Sequence, residues 1–426
     1  MEAFRQNFSI DFGDFTPSQF KFCNQLRFVI LIIVTLCLTL VVSNVLVFNF
    51  LIICINLNAE GRGNGSLTEK FTPTQVGWLF SASPMGTLLT EIFIQQLLDS
   101  GSSLATVRFV IHSVASNWSS TKQSGNYLTV MYCSVHFASL YSILMACFLY
   151  QTAAGWASVY YIHSSSTFIA FGVFFTIFKN SPKKHRYVSQ KELNMIIDGK
   201  HTSQARQPVP LKHLVRTPAA WGVLCSYFGA IVGVTVIMQY GPTYLTLVLK
   251  YPIKKSGIII SIGHVFSLIF SIFLNSISEN IPKLSARTKL IIFTVISQGS
   301  FIVCLLAMAF VASIPTKYIF FIMAIVFMTF FLVGPVKCAQ LIGGQHAHFF
   351  TSYGFIVYSM TSMVFPVIAS VYAAGNTEEQ WTAILVVASV VVLFTSIVFV
   401  LVAEAEPAKW GQKRSRVYPV ESGSRR

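Results

Sequence analysis

One carboxylate, Glu91, falls inside a long apolar run, and no other acidic residue is so placed. A charged side chain in hydrocarbon costs roughly several kcal/mol, so it belongs on an interior face or beside water. Protonation would let its helix move without carrying a charge, which makes Glu91 a candidate for ion coupling. The other reading is a solvated residue near one mouth, since Asp99 lies only about two turns further on. His136, His163 and His264 also sit within apolar runs. Neutral imidazoles there either bond across helices or touch a ligand, and His264 is the strongest cavity candidate of the three. Gln239 and Tyr240 precede Gly241-Pro242, where a broken helix can free backbone carbonyls into a cavity. They are substrate-contact candidates; alternatively, the Gly-Pro pair merely ends a helix and Tyr240 anchors it at the interface.

These residues are carried by ten apolar runs: 28–55, 75–98, 128–150, 156–178, 219–240, 256–277, 289–312, 318–336, 349–373 and 381–403. Each can cross about 30 Å of hydrocarbon at about 1.5 Å per residue, so the fold class is an all-α, multipass membrane bundle. With both termini in the cytosol, 24 of the 30 Lys and Arg residues and ten acids lie inside, against six basic and four acidic residues outside. The positive-inside rule selects that orientation. The predicted organisation is a cytosolic tail (1–27), a four-span half (28–178) with a shortened cytosolic segment (99–127), and a basic cytosolic loop (179–218). A six-span half (219–403) and a second cytosolic tail (404–426) follow.

The net charge of +15 is topogenic and does not indicate nucleic acid. The eight Cys have neither disulfide nor metal-ligand spacing, so no metal site is expected. There is no GxxxxGK[ST] loop, no paired intramembrane carboxylates and no Ser/His/Asp arrangement, so neither an enzyme nor a cofactor is expected. Ser189-x-x-Glu192 has capping-box spacing and predicts a short cytosolic helix from about Gln190. Gly229-x-x-x-Gly233 fits close helix packing. Asn64-Gly-Ser66 is a sequon in the largest exterior loop and is expected to be glycosylated; Asn7 and Asn117 head sequons on the cytosolic side.

Several segments resemble the anion/cation symporter branch of the major facilitator superfamily, which includes type I phosphate, sialic acid and vesicular glutamate transporters. They are His185 with Val188, Ser189 and Glu192; Pro210-Leu-Lys; Thr217-Pro-Ala-Ala-Trp221; Pro242-Thr-Tyr244; Phe71-Thr-Pro-Thr-Gln-Val-Gly77; Glu379-Gln-Trp381; and Glu406 with Trp410. Their order over about 330 residues is similar to the family's, and the style looks most like its nematode members. The resemblance adds Tyr244 to the cavity candidates and Asp99 to the candidates for a cytosolic gate.

It also marks departures. The family has twelve helices, and here Ser103 runs directly into Leu104-Ala-Thr-Val-Arg108-Phe109, which resembles the start of the fourth, so two spans are absent. The family's basic position in helix one falls near Val47, its seventh-helix counterpart near Ala230, and the second-helix His of some members near Phe80. The resemblance implies a secondary transporter moving a small organic or inorganic anion with a proton or sodium gradient by alternating access. Plasma and endolysosomal membranes both fit. The rival is a non-transporting or truncated paralogue, a splice form or an incomplete gene model.

Overall fold

The structure, a computed structural model, describes residues 25–57, 71–99, 114, 117–120, 123–149, 155–179, 181–198, 210–281, 284–408 and 410–411. Side chains of 90–99 and 275–280 lie outside that description. Every regular element among the described residues is helical. Long apolar runs must satisfy their own backbone groups in lipid, and a helix does so within one segment.

The first four long helices are α1 (Leu26–Leu57), α2 (Pro73–Asp99), α3 (Gly125–Leu149) and α4 (Gly155–Ile177). After the short α5 (Gln190–Ile197) come α6 (Pro218–Val248), α7 (Ile253–Asn280), α8 (Ala286–Phe310), α9 (Ile314–Gly343), α10 (Ala347–Tyr372) and α11 (Glu378–Val402). Eight of these are long and apolar enough to cross a membrane. The ten expected spans coincide with α1–α4 and α6–α11, of which α2 and α4, of 27 and 23 residues, are not among those eight.

One expectation fails locally. Gly241-Pro242 does not end its helix: α6 continues to Val248, with wide π turns at Thr235–Gln239 and Tyr244–Val248 on either side. Such turns re-satisfy carbonyls left without a partner around a membrane proline.

Helix ends are set by local chemistry. Thr72 and Gln75 bond each other's backbone amides at the start of α2, with Pro73 in the first turn. Thr377 and Gln380 form the same reciprocal box at the start of α11. The predicted helix from Gln190 is α5; Ser189 Oγ accepts the Glu192 amide at 3.1 Å. The Glu192 carboxylate, buried, also accepts the Arg27 backbone amide at 2.9 Å. Tyr127 donates its hydroxyl to the Arg27 carbonyl, so α5, α1 and α3 are tied together on one face.

Within the first four long helices, α1 packs on α3 and α4. Within the last six, α6 packs on α11 and α10, while α9 packs on α7 and α8. Among the described residues three main seams join the groups: α2 along α10, α3 along α7, and α1 against the far end of α6. The α6–α11 approach is close because Gly229 faces Thr395; a Cβ at Gly229 would sit 1.9 Å from Thr395 Oγ1. The expected packing role of Gly229-x-x-x-Gly233 therefore fits, since Gly233 likewise meets the Phe301 ring.

Candidate functional site

The face opposite Arg27 opens into a vestibule of about 250 Å³ between α1, α2, α6 and α10, lined by Asn56, Phe71, Ser370 and Asn376. Its floor is aromatic. Tyr240 lies 5.3 Å from Phe80, 5.2 Å from Phe365 and 5.7 Å from Trp381 between ring centroids. Phe48 closes the near side, edge-on to Phe80 at 5.1 Å. Rings at these distances hold one another in tilted and edge-on contacts while excluding water.

Beneath this floor lies a chamber of about 90 Å³ whose polar lining includes Asn44, Asn49, Ser83, Thr235, Gln239 and Ser362. Phe80 borders both spaces, and the floor separates them. Asn49 donates to the Met238 carbonyl at 3.3 Å and so couples α1 to the π turn of α6. The Ser362 hydroxyl is buried without a hydrogen-bond partner among the described residues, which leaves it available to a solute. A smaller space of about 30 Å³ shares Leu46, Asn49 and Met238 with the chamber and is bordered by His264.

Among the described residues no charged side chain lines these three spaces. Val47 and Ala230, where the resemblance places cationic groups, are buried, Val47 within the main apolar core, and Phe80 belongs to the floor. What the chamber offers a solute is amide N–H groups and hydroxyls.

The structure brings Gln239 and Tyr240 to this site, one below the floor and one in it. It takes Tyr244 out of the cavity: the hydroxyl donates to the Met308 carbonyl at 3.0 Å and the ring packs on Trp381. His264 is adjacent, with Nδ1 3.0 Å from His136 Nδ1. Glu91 and Asp99 are on α2, but their side chains lie outside the described residues, and so does Asn64 altogether. His163 bonds the Val159 carbonyl of its own helix. Asn44, Asn49, Ser83 and Ser362 were not among the expected site residues. Amides within the first apolar run, a costly placement, were the available signal for the first two.

The chain belongs to the major facilitator superfamily, whose profile matches residues 100–349. It is 22% identical over 322 residues to sodium-dependent phosphate transport protein 1 of Oryctolagus cuniculus, covering 74% of this chain and 69% of that protein. To sialin of Homo sapiens it is 21% identical over 314 residues, 70% of this chain and 61% of sialin. In fold it is similar to a bacterial homologue of the iron transporter ferroportin in an outward-facing state, with TM-score 0.54 at 12% identity, covering 88% of this chain and 99% of that one. Relatives and architecture together support secondary transport as the class of activity.

Proposed function

We propose that this protein is a secondary transporter of a small anion, driven by a proton or sodium gradient through alternating access. The observation that carries the reading is the polar chamber that lies between the two helix groups beneath an aromatic floor. Solute entering the vestibule meets Tyr240, and displacement of that ring opens the way to Gln239, Asn49 and Ser362. With no cationic anchor among the described residues, the chamber favours an anion of low charge, held by amide and hydroxyl donors. The similarity to transporters named for phosphate, together with sialin, supports an anionic solute. Glu91 on α2 is the proposed site of ion coupling and Asp99 a gate at the opposite mouth. Both termini and the 179–218 segment are placed in the cytosol by their charge, and Asn64 on the exterior, where a glycan would report the topology.

The test is uptake of labelled phosphate and a panel of small organic anions into proteoliposomes, with imposed pH or sodium gradients. Saturable, gradient-dependent uptake is expected. Silence from a folded preparation across the panel overturns the reading. Glu91→Gln should abolish the pH dependence of uptake with membrane insertion intact; unchanged pH-dependent flux removes Glu91 from the coupling role.

A second reading, a truncated or non-transporting paralogue, is favoured by one feature. Asn44 on α1 and Ser164 and Ser165 on α4 are exposed within their spans, a polar stripe that two further helices would cover. A transcript with about forty extra codons between Ser103 and Leu104 would decide for it.

A further inference from the structure

His136 on α3 and His264 on α7 meet across the seam between the first four and last six long helices. Their Nδ1 atoms are 3.0 Å apart and their ring centroids 5.3 Å. Both are almost fully buried, at 7% and 1% exposure. A contact of this kind needs one nitrogen to donate and the other to accept, so the two rings share a single proton in it, whichever tautomers they adopt. No third metal-ligating side chain joins them among the described residues, which leaves the proton as the ligand.

Among the described residues the surroundings contain nothing to neutralise an added charge. The space bordered by His264 brings in Asn49 from α1, Met238 and Pro242 from α6, and Ile325 from α9. On α3, Cys133 stands one turn from His136 and is bonded by Ser271 of α7. Tyr141 and His163 face each other on the side of α3 toward α4. Among the described residues no carboxylate, lysine or arginine faces the pair.

We infer that His136 and His264 together form a one-proton binding site that couples proton movement to parting of the α3–α7 seam. The inference rests on the transport reading for its role in the cycle, though not for its chemistry. With the seam closed, the neutral pair satisfies itself through one N–H···N bond. An added proton settles on a free ring nitrogen and creates a buried imidazolium with no counter-charge. Charge-assistance of one hydrogen bond is a smaller gain than the hydration lost, so the cation favours a seam parted and open to water. A second proton would put two like charges on rings in contact. Proton uptake and seam opening therefore favour each other, and closure returns the proton. Asn49 and Met238, which wall both the small space and the chamber, link that step to the solute.

The test measures the seam without any solute. Spin labels carried by p-acetylphenylalanine at exposed Leu144 and Ile258, in nanodiscs, report the distance between α3 and α7 by pulsed electron resonance. As pH falls from 8 to 5, the wild-type distribution should gain a longer component, and H136Q/H264Q should not. An unchanged wild-type distribution, or a double variant that responds like wild type, overturns the inference. Because the wild-type titration alone can refute it, misfolding of the variant does not protect it. In proteoliposomes with labelled phosphate, H136Q, whose residue lines neither the chamber nor the small space, should keep anion exchange but lose at least tenfold in pH-driven accumulation. Undiminished accumulation by H136Q also overturns the inference. If wild type moves no anion while its seam still opens in acid, the transport reading fails and the proton site stands.

Discussion

The contact between Gly229 and Thr395 sets how closely α6 and α11 approach, and a single methyl group tests it. A Cβ added at Gly229 would lie 1.9 Å from Thr395 Oγ1, 2.9 Å from its Cβ and 3.3 Å from its Cγ2. Rotation about χ1 relieves the first contact and leaves the second, because Cβ does not move with the rotor. Rotation also takes the hydroxyl from the Val391 and Val392 carbonyls, to which it donates at 2.9 and 3.1 Å. Overpacking a tight site costs about 1–3 kcal/mol and a lost buried hydrogen bond about 1 kcal/mol, so G229A should destabilise by about 2–4 kcal/mol. Equilibrium unfolding in mixed micelles measures it. T395A in the G229A background removes Oγ1 and Cγ2 and should recover about half the loss, leaving the 2.9 Å contact to be relieved by a small helix shift. A G229A protein within about 0.5 kcal/mol of wild type would mean that the two helices do not approach this closely, and the packing argument would be wrong.

Y240A removes the centre of the aromatic floor, so a cysteine at Ser362 should react with a polar thiol reagent from the vestibule side at least tenfold faster than with Tyr240 in place; equal rates would show the floor is no barrier. E192A leaves the Arg27 amide without its buried acceptor and should cost about 1–3 kcal/mol, read as earlier loss of structure in the same unfolding assay. His185, in the segment after α4, is held below its ordinary imidazole value by burial first, against a raising hydrogen bond to the Ile177 carbonyl. A base with a lowered folded value stabilises the fold fully above its unfolded value of about 6.5 and loses that contribution as pH falls below it. The chemistry agrees: Nδ1 accepts the Tyr187 amide at 3.2 Å and cannot once protonated. The melting temperature should therefore drop between pH 7 and 5 by more in wild type than in H185N, and identical slopes would remove His185 from the account.

The fold was legible because hydrocarbon leaves the backbone few choices, and the ten apolar runs became ten long helices. The motifs that carried the family resemblance prove to be helix-end and helix-contact chemistry. Phe71-Thr-Pro-Thr-Gln-Val-Gly77 supplies a cap at Thr72, its N3 partner Gln75, and a glycine whose Cβ would strike Ser370 on α10. Trp410 donates to Thr217 Oγ1 at 2.9 Å and ties the exit of α11 to the start of α6. Such residues identify a scaffold and say little about a solute. The site was less legible for a related reason. Gln239 stood out beside a Gly-Pro break, yet Asn49 and Ser362 are ordinary polar residues in apolar runs until three helices turn them toward one space. Tyr244 looked equivalent to Tyr240 in sequence, but four residues of a helix interrupted by π turns aim it at Met308.

How the two helix groups could rock is constrained by α2. Although it belongs in sequence with the first four long helices, it lies along α10, where the Ser81 hydroxyl donates to the Met363 carbonyl at 2.6 Å and Gly77 fits beneath Ser370. Its contact with α1 is slight by comparison. A rigid-body movement that split the chain at the 179–218 segment would have to break this tight, hydrogen-bonded pair. A movement in which α2 travels with α10 breaks chiefly, among the described residues, the α3–α7 contact, the α1–α6 contact and the slight contact of α2 with α1. The chamber is walled by α1 on one side of that division and by α2, α6 and α10 on the other. The histidine pair sits on the seam that parts, and Tyr240, Phe80 and Phe365 stay together on one body while Phe48 withdraws with the other.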